Sequence, residues 1–162
     1  MDAISILTDQ HRKLESQLKN ALGAHQAAAR TAALVAMGDD LIKHLTSEED
    51  VFYPAVKAKS TEDTLLESLE EHLSLKRLIA DLLTLDPAAE TWEPKLKVLK
   101  EQAEHHHKEE EEKLFPLTRK TMKQDELEAL GQEILTCQQE LQREGAPRET
   151  VIEQTAVATP LK

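Results

Sequence analysis

The sequence predicts an all-α protein, an up-down-up-down four-helix bundle with an extra C-terminal helix and a loose tail. Three observations carry this expectation. Apolar residues recur at steps of three and four along five segments, the pattern of helices that each bury one stripe. Glycine (4) and proline (6) are scarce among 162 residues, too few for the turns of a sandwich or barrel. The chain is 40% apolar with only Phe52, Tyr53, Trp92 and Phe115 aromatic, so its core is built from Leu, Ile, Val and Ala.

The segments follow in order. The first seam runs Ile4, Leu7, His11, Leu14, Leu18, and Gly23 ends it. The second runs Leu34, Met37, Leu41, His44, Glu48, Val51, Ala55, with Pro54 expected to bend or end it. Ser60 and Asp63 read as a start for the third, Leu65, Leu69, His72, Lys76, Ile79, Leu83. Asp86-Pro87 breaks the chain before the fourth, Leu96, Leu99, Ala103, His106, Glu110, Lys113, Leu117. Asp125 and Glu128 read as a start for the fifth, Leu127, Leu130, Ile134, Cys137, Leu141. Periodicity ends after Gly145-Ala146-Pro147. The expected organisation is a bundle over residues 1–120, an added helix over 121–144 and a flexible tail over 145–162.

Composition narrows the function classes. A net charge of −11 argues against nucleic acid and anionic membranes as partners. No apolar run approaches the roughly 18 residues of a membrane span. Met1-Asp2-Ala3-Ile4 lacks the basic start of a secretory leader, so a cytoplasmic location is expected. The lone Cys137 excludes a disulfide framework and a cysteine zinc site.

Six seam positions carry His or Glu where Leu is expected: His11, His44, Glu48, His72, His106 and Glu110. Unpaired buried carboxylates are costly, and a bound cation is the one partner that all six groups share. Residues four apart project from one helix face, so His44 with Glu48 and His106 with Glu110 each present an imidazole and a carboxylate together. The two stretches align without a gap, His44…Glu48-Glu49…Tyr53-Pro54 on His106…Glu110-Glu111…Phe115-Pro116. His44 follows His11 by 33 residues and His106 follows His72 by 34, which makes the chain two copies of one unit. Twofold placement gives each of two metals one histidine from a single-His helix and one from a His-x-x-x-Glu helix, with Glu48 and Glu110 bridging. That donor set suits iron first, then manganese, with zinc less favoured. Within His105-His106-His107, the seam selects His106, and His105 and His107 are expected to point elsewhere. Glu49 and Glu111 are candidates to stand behind the ligands, or ordinary surface carboxylates. Glu15, four residues after His11, has the same two readings. Tyr53 either donates to the centre or packs, and packing is favoured because its counterpart Phe115 lacks a hydroxyl.

The order His…His-x-x-x-Glu…His…His-x-x-x-Glu, with "HLTSEEDVFYP" and "HHKEEEEKLFP", resembles the hemerythrin-like (HHE cation-binding) family over about residues 2 to 118. The resemblance implies two iron ions (Fe2+/Fe3+) with a bridging oxo or hydroxo group and an open coordination position. Oxygen-carrying members have a second histidine four residues after the third helix's single His. Here that position is Lys76, so the chain resembles the four-His, two-Glu type. The Lys76 ammonium either faces the open position or reaches out to solvent. The implied function is binding or reaction with a small diatomic ligand or peroxide (O2, peroxide, NO) in oxidative or nitrosative stress, including catalase-like peroxide breakdown. The alternative is an iron-sensing or iron-handling module whose folding or partner binding is metal-controlled. A third reading is a protein partner docked on the C-terminal "TVIEQTAVATPLK".

Overall fold

The computed structural model describes residues Met1–Lys162 and is all-helical. Four long helices form the bundle: α1 (Ala3–Leu22), α2 (Ala27–Ser47), α4 (Glu62–Thr84) and α5 (Trp92–Glu109). The short α3 (Tyr53–Val56) and α6 (Phe115–Thr121) extend α2 and α5, and α7 (Gln124–Glu144) is the added helix. In the bundle, α1 packs on α2 and α5, and α4 packs on α5 and α2, which closes a ring. Contacts across the ring run in opposite senses along the chain. Gln10 meets His44 while Gln17 meets Asp40, and Glu71 meets His106 while Ser74 meets Gln102. The expected antiparallel arrangement follows from those pairings.

Neither Pro54 nor Pro116 ends its helix. Each is preceded by one wide π-helical turn, Glu48–Phe52 and Glu110–Leu114, in which Tyr53 N–H bonds Glu48 O and Phe115 N–H bonds Glu110 O. The extra residue lets the chain pass a proline that lacks an N–H and would clash with the carbonyl four residues back. Both wide turns start at a seam glutamate, so the distortion falls at the centre of the bundle.

Other starts shift from expectation by a residue or two. Thr61 stands at the N-cap position of α4 without a side-chain cap bond; its hydroxyl shares its proton between Val56 O and Ala58 O and accepts from Ala58 N–H. Lys123 precedes α7, its N–H held by the Glu126 carboxylate at 2.7 Å. At the other end of the chain Asp2 caps α1, accepting from Ser5 N–H at 2.8 Å.

The core falls into two apolar clusters. One holds Leu14, Leu18, Leu41, Leu75, Ile79, Leu96 and Leu99 among its 16 residues, the other Ile4, Leu7, Phe52, Leu65, Leu69, Leu114 and Phe115 among its 14. The polar seam residues lie between them. α7 covers α1 and α2, and Gly131 makes room there: a Cβ would stand 2.8 Å from Met1 O and 2.9 Å from Ala3 N.

The C-terminal segment, expected as a loose tail, lies against the bundle. Residues Pro147–Gln154 form a 3-10 helix against α2 and α4, with Val151 fully buried. Arg77 donates to Thr155 O and Ala156 O, Arg148 pairs with Asp39, and Lys162 pairs with Asp50. The segment shows no apolar period because the bundle holds it through backbone carbonyls and ion pairs.

Candidate metal centre

His11 (α1), His44 (α2), His72 (α4), His106 (α5) and Glu48 and Glu110 at the starts of the wide turns meet in one buried cluster. His44 Nε2 lies 3.1 Å from Glu48 Oε1, and His72 Nε2 lies 3.0 Å from Glu48 Oε2. Glu110 Oε1 lies 3.3 Å from His11 Nε2 and 3.2 Å from His106 Nε2. Each carboxylate therefore touches one imidazole of the His11/His44 pair and one of the His72/His106 pair.

Behind the rings every Nδ1 faces an acceptor oxygen. His11 Nδ1 lies 2.7 Å from Glu111, His72 Nδ1 3.1 Å from Glu49, His106 Nδ1 3.1 Å from Glu71, and His44 Nδ1 2.8 Å from Gln10 Oε1. Such backing fixes the tautomer and aims each Nε2 at the centre. The pattern repeats with the sequence. The residue after each seam Glu (Glu49, Glu111) backs a single-helix His, and the residue before each single His (Gln10, Glu71) backs the His of the neighbouring helix. Gln10 and Glu71 escape sequence reasoning, although the repeat signals them at matching positions.

Three further residues differ from expectation. His107 points into the cluster: it is fully buried, its Nδ1 is 3.1 Å from Glu15, and its ring stacks on His11 at 3.9 Å. His105 stays exposed, 3.4 Å from Glu71. The Tyr53 hydroxyl does more than pack. It lies 3.1 Å from Glu110 Oε2 and 3.0 Å from His72 Nε2. Lys76 neither reaches solvent nor faces the centre; it is 1% exposed, and its Nζ donates to Glu49 Oε1 at 2.6 Å. A buried Glu49 carboxylate needs that counter-charge, and Thr159 of the tail donates to its other oxygen at 2.9 Å.

The electrostatics follow from burial opposed by close partners. Burial pulls His11, His72 and His106 toward neutrality, but the carboxylates prevail and raise all three, Glu110 chiefly for His11 and His106 and Glu48 for His72. His107 is lowered well below its ordinary value by burial and by the neighbouring His11, His44 and His106. Burial opposes ionisation of Glu49, yet His72 and Lys76 bring it down to about 2. Glu48 and Glu110 also fall below the usual carboxylate range against their burial, held there by the imidazoles. The Tyr53 hydroxyl is pushed well above its ordinary value by burial, then by Glu110 and Glu48, and keeps its proton.

These residues fit a cation. His11 Nε2, His44 Nε2, His107 Nε2, Glu48 Oε1 and Glu110 Oε1 are all buried with no hydrogen-bond partner. Ligand atoms of His11, His44, Glu48 and Glu110 lie within 4.8 Å of one another, as do those of Glu48, His72 and His106. Imidazole lone pairs and carboxylate oxygens turned on each other are the chemistry of a metal site.

Comparison with known proteins agrees. The hemerythrin HHE cation-binding domain matches residues 2–118, and the chain belongs to that family. It is a helical cation-binding domain with a His/Glu cluster at its centre. Among solved structures it is similar to a hemerythrin HHE cation-binding domain-containing protein from Mycobacterium kansasii, an Rv2633c homolog. The TM-score is 0.77 at 20% identity, over 95% of this chain and 91% of that one, a likeness of fold. No match is found among curated proteins. No helix is long and apolar enough to cross a membrane.

Proposed function

We propose that the cluster holds two iron ions and binds or reacts with a small oxidant or diatomic ligand, namely O2, peroxide or NO. The observation that carries this reading is the pair of carboxylates, each touching imidazoles of both histidine pairs. His11 and His44 hold one ion, His72 and His106 the other, and Glu48 and Glu110 bridge them. Two adjacent irons supply two-electron exchange with peroxide or dioxygen, and affinity for NO.

The remaining chemistry belongs to the chain. The cluster residues are all 0–1% exposed, so the site favours a ligand of a few atoms over an organic substrate. Tyr53 holds a proton at its hydroxyl beside Glu110 and His72, available to a ligand entering there. Glu49, Glu71, Glu111 and Gln10 keep the imidazoles aimed inward. Protection against oxidative or nitrosative stress, including peroxide breakdown, is the activity this arrangement suits.

A second reading, iron sensing or handling, is favoured by one chain of contacts. His72 bonds Glu49, Glu49 bonds Lys76 and Thr159, and Thr159 belongs to the tail. Occupancy at His72 is thereby linked to a surface segment.

The test is to mix iron-loaded protein with peroxide and with NO and follow the visible spectrum and oxygen release. Spectral change within the mixing time, with oxygen release from peroxide, supports the first reading. Unchanged spectra, with the tail protected from protease only when iron is bound, support the second.

A further inference from the structure

We propose that His107 is a fifth histidine ligand, making the centre asymmetric: three imidazoles on the His11/His44 metal and two on the His72/His106 metal. This rests on the dimetal reading above and deepens it.

Four observations converge on His107. It is fully buried, one residue beyond His106 on α5. Its Nδ1 is backed by Glu15 at 3.1 Å, the same arrangement that aims the four seam histidines. Its Nε2 is buried and has no hydrogen-bond partner. A ligand nitrogen of His107 lies with those of His11 and His44, all three within 4.8 Å of one another. A packing histidine does not need a carboxylate at one nitrogen and a bare second nitrogen turned on two other imidazoles.

The internal repeat gives an independent argument. The repeat partner of His107 is Leu45, and the partner of Glu15 is Lys76. One half thus carries a histidine with its backing carboxylate, and the other carries a leucine, with a lysine turned on Glu49. The Tyr53/Phe115 pair breaks the repeat in the opposite sense. Phe115 stacks parallel to His11 at 5.7 Å, while the Tyr53 hydroxyl stands 3.0 Å from His72 Nε2 and 3.5 Å from His106 Nε2. The third nitrogen and the hydroxyl therefore belong to different metals. The side with three imidazoles is the more saturated, which leaves the His72/His106 side, beside Tyr53, to take the small ligand.

The direct test is Mössbauer spectroscopy of the wild-type protein loaded with 57Fe. Two doublets of equal area and unequal splitting are expected, and one doublet for all the iron would overturn the proposal. Chelator competition on His107→Ala and the bulkier His107→Gln should show one of two ions bound at least about tenfold more weakly. Added imidazole should restore that ion to His107→Ala, and His105→Ala should bind as wild type. Circular dichroism establishes that each variant is folded, and variants that bind both ions as tightly as wild type would overturn the assignment. Failure of the parent reading is distinguishable. A wild-type chain that takes up no metal overturns both, whereas one that takes up two zinc ions and no iron removes only the redox function. Competition with zinc then decides the role of His107.

Discussion

The Nε2 atoms of His72 and His106 lie 3.1 Å apart, while the Nδ1 of each ring faces a carboxylate, Glu49 for one and Glu71 for the other. Carboxylates that accept from both Nδ1 groups turn two lone pairs toward each other in a dry core. A proton on one nitrogen relieves part of that repulsion, and a cation relieves all of it. The centre is thus a liability to the fold until it is loaded, which couples metal binding to stability.

Glu48→Ala tests that coupling. Glu48 is buried and touches both histidine pairs. The variant should lose at least one of the two ions, and the rise in melting temperature on adding metal should largely vanish. The metal-free variant should melt no higher than the metal-free wild type, because His44 and His72 lose their buried carboxylate partner. Melting curves with and without iron check both statements, and a full metal complement in Glu48→Ala would remove its bridging role.

Glu71→Ala should leave both ions bindable but weaken the total affinity by about 10–100-fold, since only the support behind His106 is removed. Competition with a chelator of known affinity measures this.

Glu49→Ala should be worse, because it strands the Lys76 ammonium, only 1% exposed, with Thr159 as its remaining partner at 3.3 Å. Leaving such a charge unpaired costs about 3–5 kcal/mol. The double variant Glu49→Ala with Lys76→Met should recover much of that loss, and denaturant unfolding of the pair measures it.

The six seam residues were legible in the sequence because they interrupt an apolar period that is otherwise unbroken. His107 was not, because it is off that seam. α5 packs against both α1 and α4, and consecutive residues on a helix point about 100° apart. His106 can therefore bond Glu71 of α4 while His107 bonds Glu15 of α1. A single-stripe reading assigns a helix one buried face, and this helix has two. The tail was missed for a different reason: its anchors are Val151, Thr159 and backbone carbonyls, none of which leaves a periodic trace. The role of Lys76 depended on where Glu49 stands, which only the packing of α2 on α4 decides.

Gly131→Ala should destabilise the protein by about 1–3 kcal/mol, as overpacking does. The new methyl meets backbone atoms of Met1 and Ala3 at under 3.0 Å, and α7 has no freedom to back away from α1 without opening the apolar cluster beneath it. Thermal melting reads the loss directly.

Asp2 should set part of the acid limb of stability. Its partial burial works against ionisation, but Ser5 N–H, Arg119 and Gln124 prevail and hold its carboxyl at about 2, below the ordinary 3.8. The folded value is the lower one, so the stabilisation is complete above pH 3.8 and is lost as pH falls from there toward 2. Asp2→Ala should cost about 1 kcal/mol near neutral pH through the lost cap. Its deficit against wild type should shrink over that acid range, as melting curves across it will register.

Counting metal by native mass spectrometry tests the central claim most directly. Protein purified from iron-supplemented cells and sprayed under non-denaturing conditions should carry two iron ions per chain and lose both together as the bundle unfolds. A chain that remains folded and carries no metal, or one ion only, would contradict the dimetal centre.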